Sequence, residues 1–154
     1  MKRTLGRSGI AVSAMGLGCW AIGGDYKTPN GAYASWGKVD DNESIRAIRR
    51  GMELGITLFD TAACYGAGHS ETVLGQAIRG HRDEVVIATK FGHRFDPGKR
   101  QKTGDDTSAA NVRRSCEASL RRLGTDRIDL LQFHCGGAAL GVTDDLLAAL
   151  EALV

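Results

Sequence analysis

The stretch 56-ITLFDTAACYGAGHSE-71 decides the fold of this chain. Its first residues form a short apolar run that is typical of a buried strand, and the run ends where Asp60 introduces a charge. Tyr65 follows in a loop that contains glycines, and Ser70 and Glu71 then open an apolar segment with the pattern of a helix. The stretch therefore predicts one strand–loop–helix unit with a carboxylate at the carboxyl end of the strand and a tyrosine in the loop above it.

Similar units recur along the chain. Apolar strands are predicted to end near Leu17, Asp60, Lys90 and His134, and a segment of helical periodicity follows each of them. This alternation predicts an α/β fold with a parallel sheet. The first unit lacks the third glycine of a GxGxxG motif, which disfavours a Rossmann fold. Ahead of the first unit, the turn residues 6–9 between two short segments predict a β-hairpin.

Capping residues predict where the helices begin. Asp40, with Glu43 three positions later, has the pattern of a capping box, while Thr107 or Ser108 and then Thr143 are placed to cap the third and fourth helices. Long polar or glycine-containing stretches are predicted as loops: 20–38, 91–106 and 135–142.

Composition narrows the class of protein. With 154 residues, 42% hydrophobic and 25% charged, the chain is expected to form a single globular domain over residues 1–154. A net charge of +2, spread along the chain, gives no indication of nucleic-acid binding. No apolar run approaches the roughly 20 residues of a membrane span, and we expect a cytoplasmic protein. The four cysteines form no CxxC pair, so we expect no metal site.

The charged and polar residues at the strand ends have the chemistry of carbonyl reduction. Hydride transfer to a carbonyl creates an alkoxide, which needs a proton donor and nearby positive charge. A phenol has a pKa of about 10, which a neighbouring ammonium lowers, and a carboxylate can hold that ammonium in place. We therefore predict Tyr65 as the general acid, Lys90 as the group that lowers its pKa, Asp60 as the partner of Lys90, and His134 as the donor that orients the carbonyl.

Each of these residues alone also has a structural interpretation. Asp60 could cap a loop, Tyr65 could be a packing residue, Lys90 could mark the surface, and a single histidine is usually structural. Their shared position favours catalysis, because α/β enzymes gather their sites at the carboxyl ends of parallel strands.

Four motifs taken together resemble those of the aldo-keto reductase family. They are the hairpin followed by GLGCW (16–20), FDTAACYGAGHSE (59–71) with LG after it, ATKFG (88–92) and SLRRLGTDRIDLLQFH (119–134). The resemblance covers residues 3–154. It implies the N-terminal half of a (β/α)8 TIM barrel, with four further βα units in a second half that this sequence does not contain. It also implies NADPH as the cofactor and the same four catalytic roles.

The resemblance further implies which residues contact the cofactor. Gly18, Trp20 and Asp60 are expected near the nicotinamide, and Trp20 is expected to form a wall of the substrate pocket. We expect weak or absent NADPH binding, because in the family the pyrophosphate and adenine contacts lie in the other half.

Two functions follow as alternatives. The first is an NADPH-dependent oxidoreductase that reduces a small aldehyde or ketone, present here in incomplete form. The second is a non-catalytic half-barrel that self-associates as a homodimer, pairs with a partner chain that completes the barrel, or persists as a binding or regulatory relic.

Overall fold

The computed structural model describes residues 2–135 and 142–154. Its strands and α-helices, in chain order, are β1 (Lys2–Thr4), β2 (Ala11–Ser13), β3 (Gly16–Gly18), α1 (Asp41–Glu53), β4 (Leu58–Asp60), α2 (His69–Ala77), β5 (Val86–Phe91), β6 (His93–Asp96), β7 (Gln101–Asp105), α3 (Ala109–Leu123), β8 (Leu130–Phe133) and α4 (Asp144–Glu151).

A four-stranded parallel sheet forms the centre of the fold. Its strand order is β3-β4-β5-β8, and one α-helix follows each of these strands in the chain. The predicted α/β fold with a parallel sheet and four helices is therefore confirmed. The predicted hairpin is present too, because β1 pairs antiparallel with β2.

Alternation along the strands separates two faces of the sheet. Phe59 and Ile87 are fully buried and pack in the main apolar cluster with Ile48 of α1, Leu74 of α2 and Leu123 of α3. Because successive side chains of a strand point to opposite faces, the neighbours Asp60 and Ala88 lie on the face away from these helices. The polar side chains at the strand ends therefore lie outside the hydrophobic core, on the opposite face of the sheet.

The prediction of a plain loop over 91–106 is wrong. Strands β6 and β7 form an antiparallel hairpin there, with an irregular register between Arg94 and Phe95. The hairpin is held by backbone hydrogen bonds and its charged side chains gave no apolar alternation, which is the signal that predicts strands. The bridge between Lys27 and Gln101 also ties the 20–38 segment to this hairpin, and residues Ala21–Gly23 of that segment form a short 3-10 helix.

The first strand of the sheet also differs from its predicted bounds. It spans Gly16–Gly18, so it ends one residue after the predicted Leu17, and it is exposed except for the partly buried Leu17. Because β3 lies at the edge of the sheet, only one neighbouring strand covers it.

The helix caps follow the sequence closely. The side chains of Asp40, Ser108 and Thr143 accept hydrogen bonds from the third backbone N–H beyond each of them, at 3.1, 3.3 and 3.2 Å. The capping box at α1 is only half made, because the Glu43 carboxylate pairs with Arg46. Helix α2 begins at His69, one residue before the predicted start.

Two further sequence predictions concern the loop 135–142 and membrane spans. The predicted loop 135–142 falls mostly on residues 136–141, which lie outside the described residues. Within the part of the chain that the structure describes, no helix has both the length and the apolar character needed to cross a bilayer.

Candidate active site

The Lys90 ammonium stands at the centre of the predicted constellation. It donates to Asp60 Oδ1 at 2.5 Å, to the carbonyl oxygen of Thr61 at 2.7 Å and to the Tyr65 hydroxyl at 3.3 Å. These contacts use the three N–H groups of the ammonium on three acceptors. The Lys90 side chain is only 13% exposed, so its charge acts on the Tyr65 hydroxyl with little screening by water.

Strand register explains why these residues meet. Asp60 is the last residue of β4, and Lys90 lies one residue before the end of the adjacent β5. Lys90 pairs in register with Gln132 of β8, so their side chains share a face of the sheet. The Gln132 amide donates to Asp60 Oδ2 at 3.1 Å, which leaves both oxygens of that carboxylate engaged.

A close contact between two glycines positions the Tyr65 loop. Gly66 has a φ of 59°, and a Cβ built on it would lie 1.9 Å from the carbonyl oxygen of Gly23. A Cβ on Gly23 would in turn lie 2.8 Å from the carbonyl carbon of Tyr65. Only glycine permits this approach. The two backbones therefore pack directly against each other and hold Tyr65 above the carboxyl ends of the parallel strands.

A buried polar network supports the same loop from the helix side. Glu71 of α2 is fully buried, accepts from Thr89 at 2.6 Å and pairs with Arg122 of α3 at 2.6 Å. Ser70 donates to the carbonyl oxygen of Cys19 at 2.7 Å. The sequence analysis assigned Ser70 and Glu71 only to a helix start, because their partners are distant in the chain.

His134 lies directly after β8 and faces Tyr65. The two rings are 5.9 Å apart between centroids and meet edge-on at 89°. Burial, and then the charges of His93 and Lys90, lower the pKa of His134 to about 4, so the imidazole is neutral at neutral pH. A neutral imidazole carries one N–H donor, which is what the predicted role of orienting a carbonyl requires.

Cys64 contacts the Nδ1 nitrogen of His134. Its Sγ lies 3.7 Å from His134 Nδ1, and burial raises the pKa of the Cys64 thiol to about 12, which keeps it protonated. When the S–H group donates to Nδ1, the ring proton is on Nε2. The sequence did not predict this contact, because the two residues lie 70 positions apart.

The residues expected near a nicotinamide lie on the open side of the sheet. Gly18 ends β3 and pairs in register with Asp60, and nothing lies within 4 Å of where its Cβ would be. Trp20 is 45% exposed and packs edge-on against Trp36, with 6.0 Å between the ring centroids. The structure thus gives open space at Gly18 and an exposed aromatic pair two positions further along the chain at Trp20.

Two further residues at this end of the sheet were not predicted. The Gln132 side chain binds Asp60. The sequence feature that could have revealed it is a polar residue two positions before His134 in an otherwise apolar strand. His93 lies with its ring centroid 4.6 Å from that of His134, and it falls in the segment that was wrongly predicted as a loop. The structure thus brings together the four predicted residues and adds two more.

Comparison with known proteins identifies the family. A profile described as Aldo/keto reductase family matches residues 14–154. The chain belongs to the aldo/keto reductase family. A curated aldo/keto reductase of Bacillus subtilis, YhdN, is 42% identical over 129 residues, which cover 82% of this chain and 35% of that protein.

Solved aldo/keto reductase structures share the fold. The holo form of AKR11C1 from Bacillus halodurans matches with a TM-score of 0.83 and 35% identity over 99% of this chain and 46% of that one. An aldo-keto reductase from Klebsiella pneumoniae in complex with NADPH matches with a TM-score of 0.72 and 33% identity over 99% of this chain and 45% of that one. The chain therefore spans less than half the length of these relatives.

Proposed function

We propose that this protein takes part in the NADPH-dependent reduction of a small aldehyde or ketone, with Tyr65 as the general acid. The observation that carries the proposal is the Lys90 ammonium, which contacts the Tyr65 hydroxyl and the Asp60 carboxylate at once. NADPH, when bound, supplies the hydride. The Klebsiella relative in complex with NADPH supports this choice of cofactor.

The side chains of the site have distinct parts in this proposal. The His134 N–H binds the carbonyl oxygen and orients it towards Tyr65. The positive charge of Lys90 stabilises the phenolate that forms as Tyr65 gives its proton to the alkoxide oxygen. Asp60, itself held by Gln132, pairs with the ammonium and keeps it in place. Gly18 and Trp20 are the residues proposed to meet the nicotinamide.

We further propose that the chain corresponds to the N-terminal half of a (β/α)8 barrel. Its parallel sheet holds four strands, and the chain covers 46% of AKR11C1. We expect weaker NADPH binding than in a whole barrel, because the residues described provide for the nicotinamide end and the contacts for the rest of the cofactor are expected elsewhere. The cytoplasmic location and the single domain over residues 1–154 stay predictions.

Fluorescence tests the cofactor part of the proposal. Titration of the purified protein with NADPH is followed through Trp20 and Trp36, and we expect saturable quenching at a concentration above the micromolar range. Oxidation of NADPH, monitored by absorbance, should then depend on both the protein and an added aldehyde or ketone. A fluorescence trace without quenching, together with no NADPH oxidation, would exclude autonomous reductase activity.

A second candidate function is that of a half-barrel that pairs with itself or with another chain. The observation that favours it is the edge of the sheet at β8, where Leu130, Leu131 and Leu150 line an open cleft of about 460 Å³. Such an apolar cleft beside a sheet edge favours association. Light scattering distinguishes the cases, since a monomer at high concentration rules out a symmetric closed barrel.

A further inference from the structure

Three potential metal ligands converge beside the Tyr65 loop. The ligand atoms of Cys64, His93 and His134 all lie within 4.8 Å of one another. Cys64 is buried, and the two histidines are partly buried. Cys64 and His134 are separated by 70 positions in the chain, so no short motif of the kind that marks zinc sites could reveal this cluster.

The spacing suits a tetrahedral cation. Zinc binds thiolate sulfur at about 2.3 Å and imidazole nitrogen at about 2.0 Å, which places a sulfur and a nitrogen ligand about 3.5 Å apart at the tetrahedral angle. The Sγ of Cys64 lies 3.7 Å from Nδ1 of His134. One edge of the tetrahedron is therefore close to its bonded length, and a ring nitrogen of His93 lies within 4.8 Å of the other two ligand atoms.

His93 is oriented in the way that zinc-binding histidines are. Its Nδ1 is hydrogen-bonded to the Asp105 carboxylate, which leaves Nε2 as the free ligand nitrogen. A carboxylate on the far nitrogen of a histidine fixes its tautomer and raises its basicity as a ligand.

The two nearby ammonium groups are already paired with carboxylates, which reduces their repulsion of an incoming cation. Lys90 is paired with Asp60, and Lys102 is paired with Asp105. Among the residues that the structure describes, the Tyr26 hydroxyl is the one buried side-chain polar group without a hydrogen-bond partner. It packs in the same cluster as Cys64, where a metal-bound water could satisfy it.

We propose that Cys64 Sγ, His93 Nε2 and His134 Nδ1 form a binding site for a thiophilic divalent cation, with Zn²⁺ as the ion and water as the fourth ligand. This is a three-ligand tetrahedral site with one open position. The reaction proposed above needs no metal. Because His134 belongs to both sites, zinc occupancy and carbonyl binding share a side chain, but the metal site itself does not rest on the proposed function.

Cobalt is the probe that tests the site. The full chain is treated with a chelator, dialysed and titrated with Co²⁺, whose visible absorption reports tetrahedral geometry and whose thiolate charge-transfer band reports sulfur ligation. We expect saturation at one equivalent, displacement by Zn²⁺, and loss of the charge-transfer band in Cys64→Ala. Asp105→Asn should weaken Zn²⁺ binding about tenfold or more, because it removes the carboxylate that orients His93.

Cys135 provides the matched control. Its thiol also lies within 4.8 Å of a ring nitrogen of His93, in a group with Asp105, yet it is not in the proposed ligand set. Cys135→Ala should keep the charge-transfer band and bind Zn²⁺ as the unmodified protein does. Circular dichroism checks folding, and if Cys64→Ala is unfolded, His93→Gln is used and should lose the tetrahedral spectrum.

Three results would overturn the proposal. One is no saturable binding of either ion by the unmodified chain. Another is a charge-transfer band that disappears in Cys135→Ala and persists in Cys64→Ala. The third is an unchanged cobalt spectrum in a folded His93→Gln variant.

Discussion

The Nζ atom of Lys90 lies 3.3 Å from the Tyr65 hydroxyl oxygen, although 25 positions separate the two residues in the chain. The same amine also lies 4.9 Å from the centroid of the Tyr65 ring. This contact joins the carboxyl end of a buried strand to a loop that follows a different strand. The following predictions depend on it or on the groups that hold it in place.

Replacing Tyr65 with phenylalanine should abolish most carbonyl reduction while leaving NADPH binding unchanged. The variant keeps the ring and removes only the proposed proton donor, and a general acid contributes typically about 10²–10⁴-fold to the rate. The measurement is the rate of NADPH oxidation at saturating cofactor, with fluorescence quenching for binding. Tyr33→Phe is the control, because that ring is 69% exposed and outside the site. An unaffected rate in Tyr65→Phe would refute the assignment.

Replacing Lys90 with methionine should lower the reduction rate by about 100-fold and the free energy of unfolding by about 1 kcal/mol. The change removes the positive charge beside Tyr65 and leaves the Thr61 carbonyl without its donor. Urea unfolding and NADPH oxidation provide the two measurements. Lys99→Met removes the same charge from an exposed position, and both quantities should stay unchanged there. Equal effects in the two variants would contradict a specific role for Lys90.

The stability of the protein should fall as the pH falls from about 6.5 to about 4, in part because of His134. Burial, and then the charges of His93 and Lys90, lower the pKa of this imidazole from 6.5 to about 4 in the folded protein. Between these values the unfolded chain binds more protons, so stability rises with pH there, by at most about 1.4 kcal/mol per unit. The contribution is complete above pH 6.5.

The pH prediction is tested by urea unfolding at a series of pH values with a chelator present. Other groups titrate in the same range, so the informative quantity is the difference between the protein and its His134→Gln variant. The curve of the variant should rise less steeply with pH across this window. Parallel curves would show that His134 has the same pKa in both states.

Replacing Arg122 with methionine should destabilise the protein by about 3 kcal/mol. The variant leaves the fully buried Glu71 carboxylate without its cation, although Thr89 still donates to it. Arg121→Met is the control, since Arg121 is the exposed neighbour in α3. Thermal and urea unfolding measure the difference. If both variants unfold alike, the buried ion pair is not what stabilises the packing of α2 against α3.

Replacing Gly66 with alanine should destabilise the protein and lower the reduction rate together. A Cβ there meets the Gly23 carbonyl oxygen at 1.9 Å, so the loop that carries Tyr65 has to move. Gly31→Ala separates this clash from backbone strain, because Gly31 also has a positive φ, of 86°, with nothing within 4 Å of its Cβ position. Gly31→Ala should cost about 1–2 kcal/mol, the strain of the left-handed conformation, and leave the rate unchanged. If the two variants have similar stability and similar reduction rates, the Tyr65 loop accommodates the Cβ without losing its function.

The sequence by itself determined the main strands and helices and the candidate site residues, because these depend on residues close together in the chain. The order of strands and helices follows from apolar periodicity, and the starts of α1, α3 and α4 follow from Asp40, Ser108 and Thr143, because caps and periodicity involve residues close in the chain. Tyr65, Lys90, Asp60 and His134 could be named as candidates for the same reason, since each stands at or just beyond a predicted strand end.

Tertiary structure alone decided what those residues contact. The hairpin of β6 and β7 was missed because backbone pairing between charged segments has no apolar signature. The cluster of Cys64, His93 and His134 and the pairing of Gln132 with Asp60 depend on strand register and on how loops from different units pack. Such contacts join residues far apart in the chain, and only the folded sheet brings them within a few ångströms.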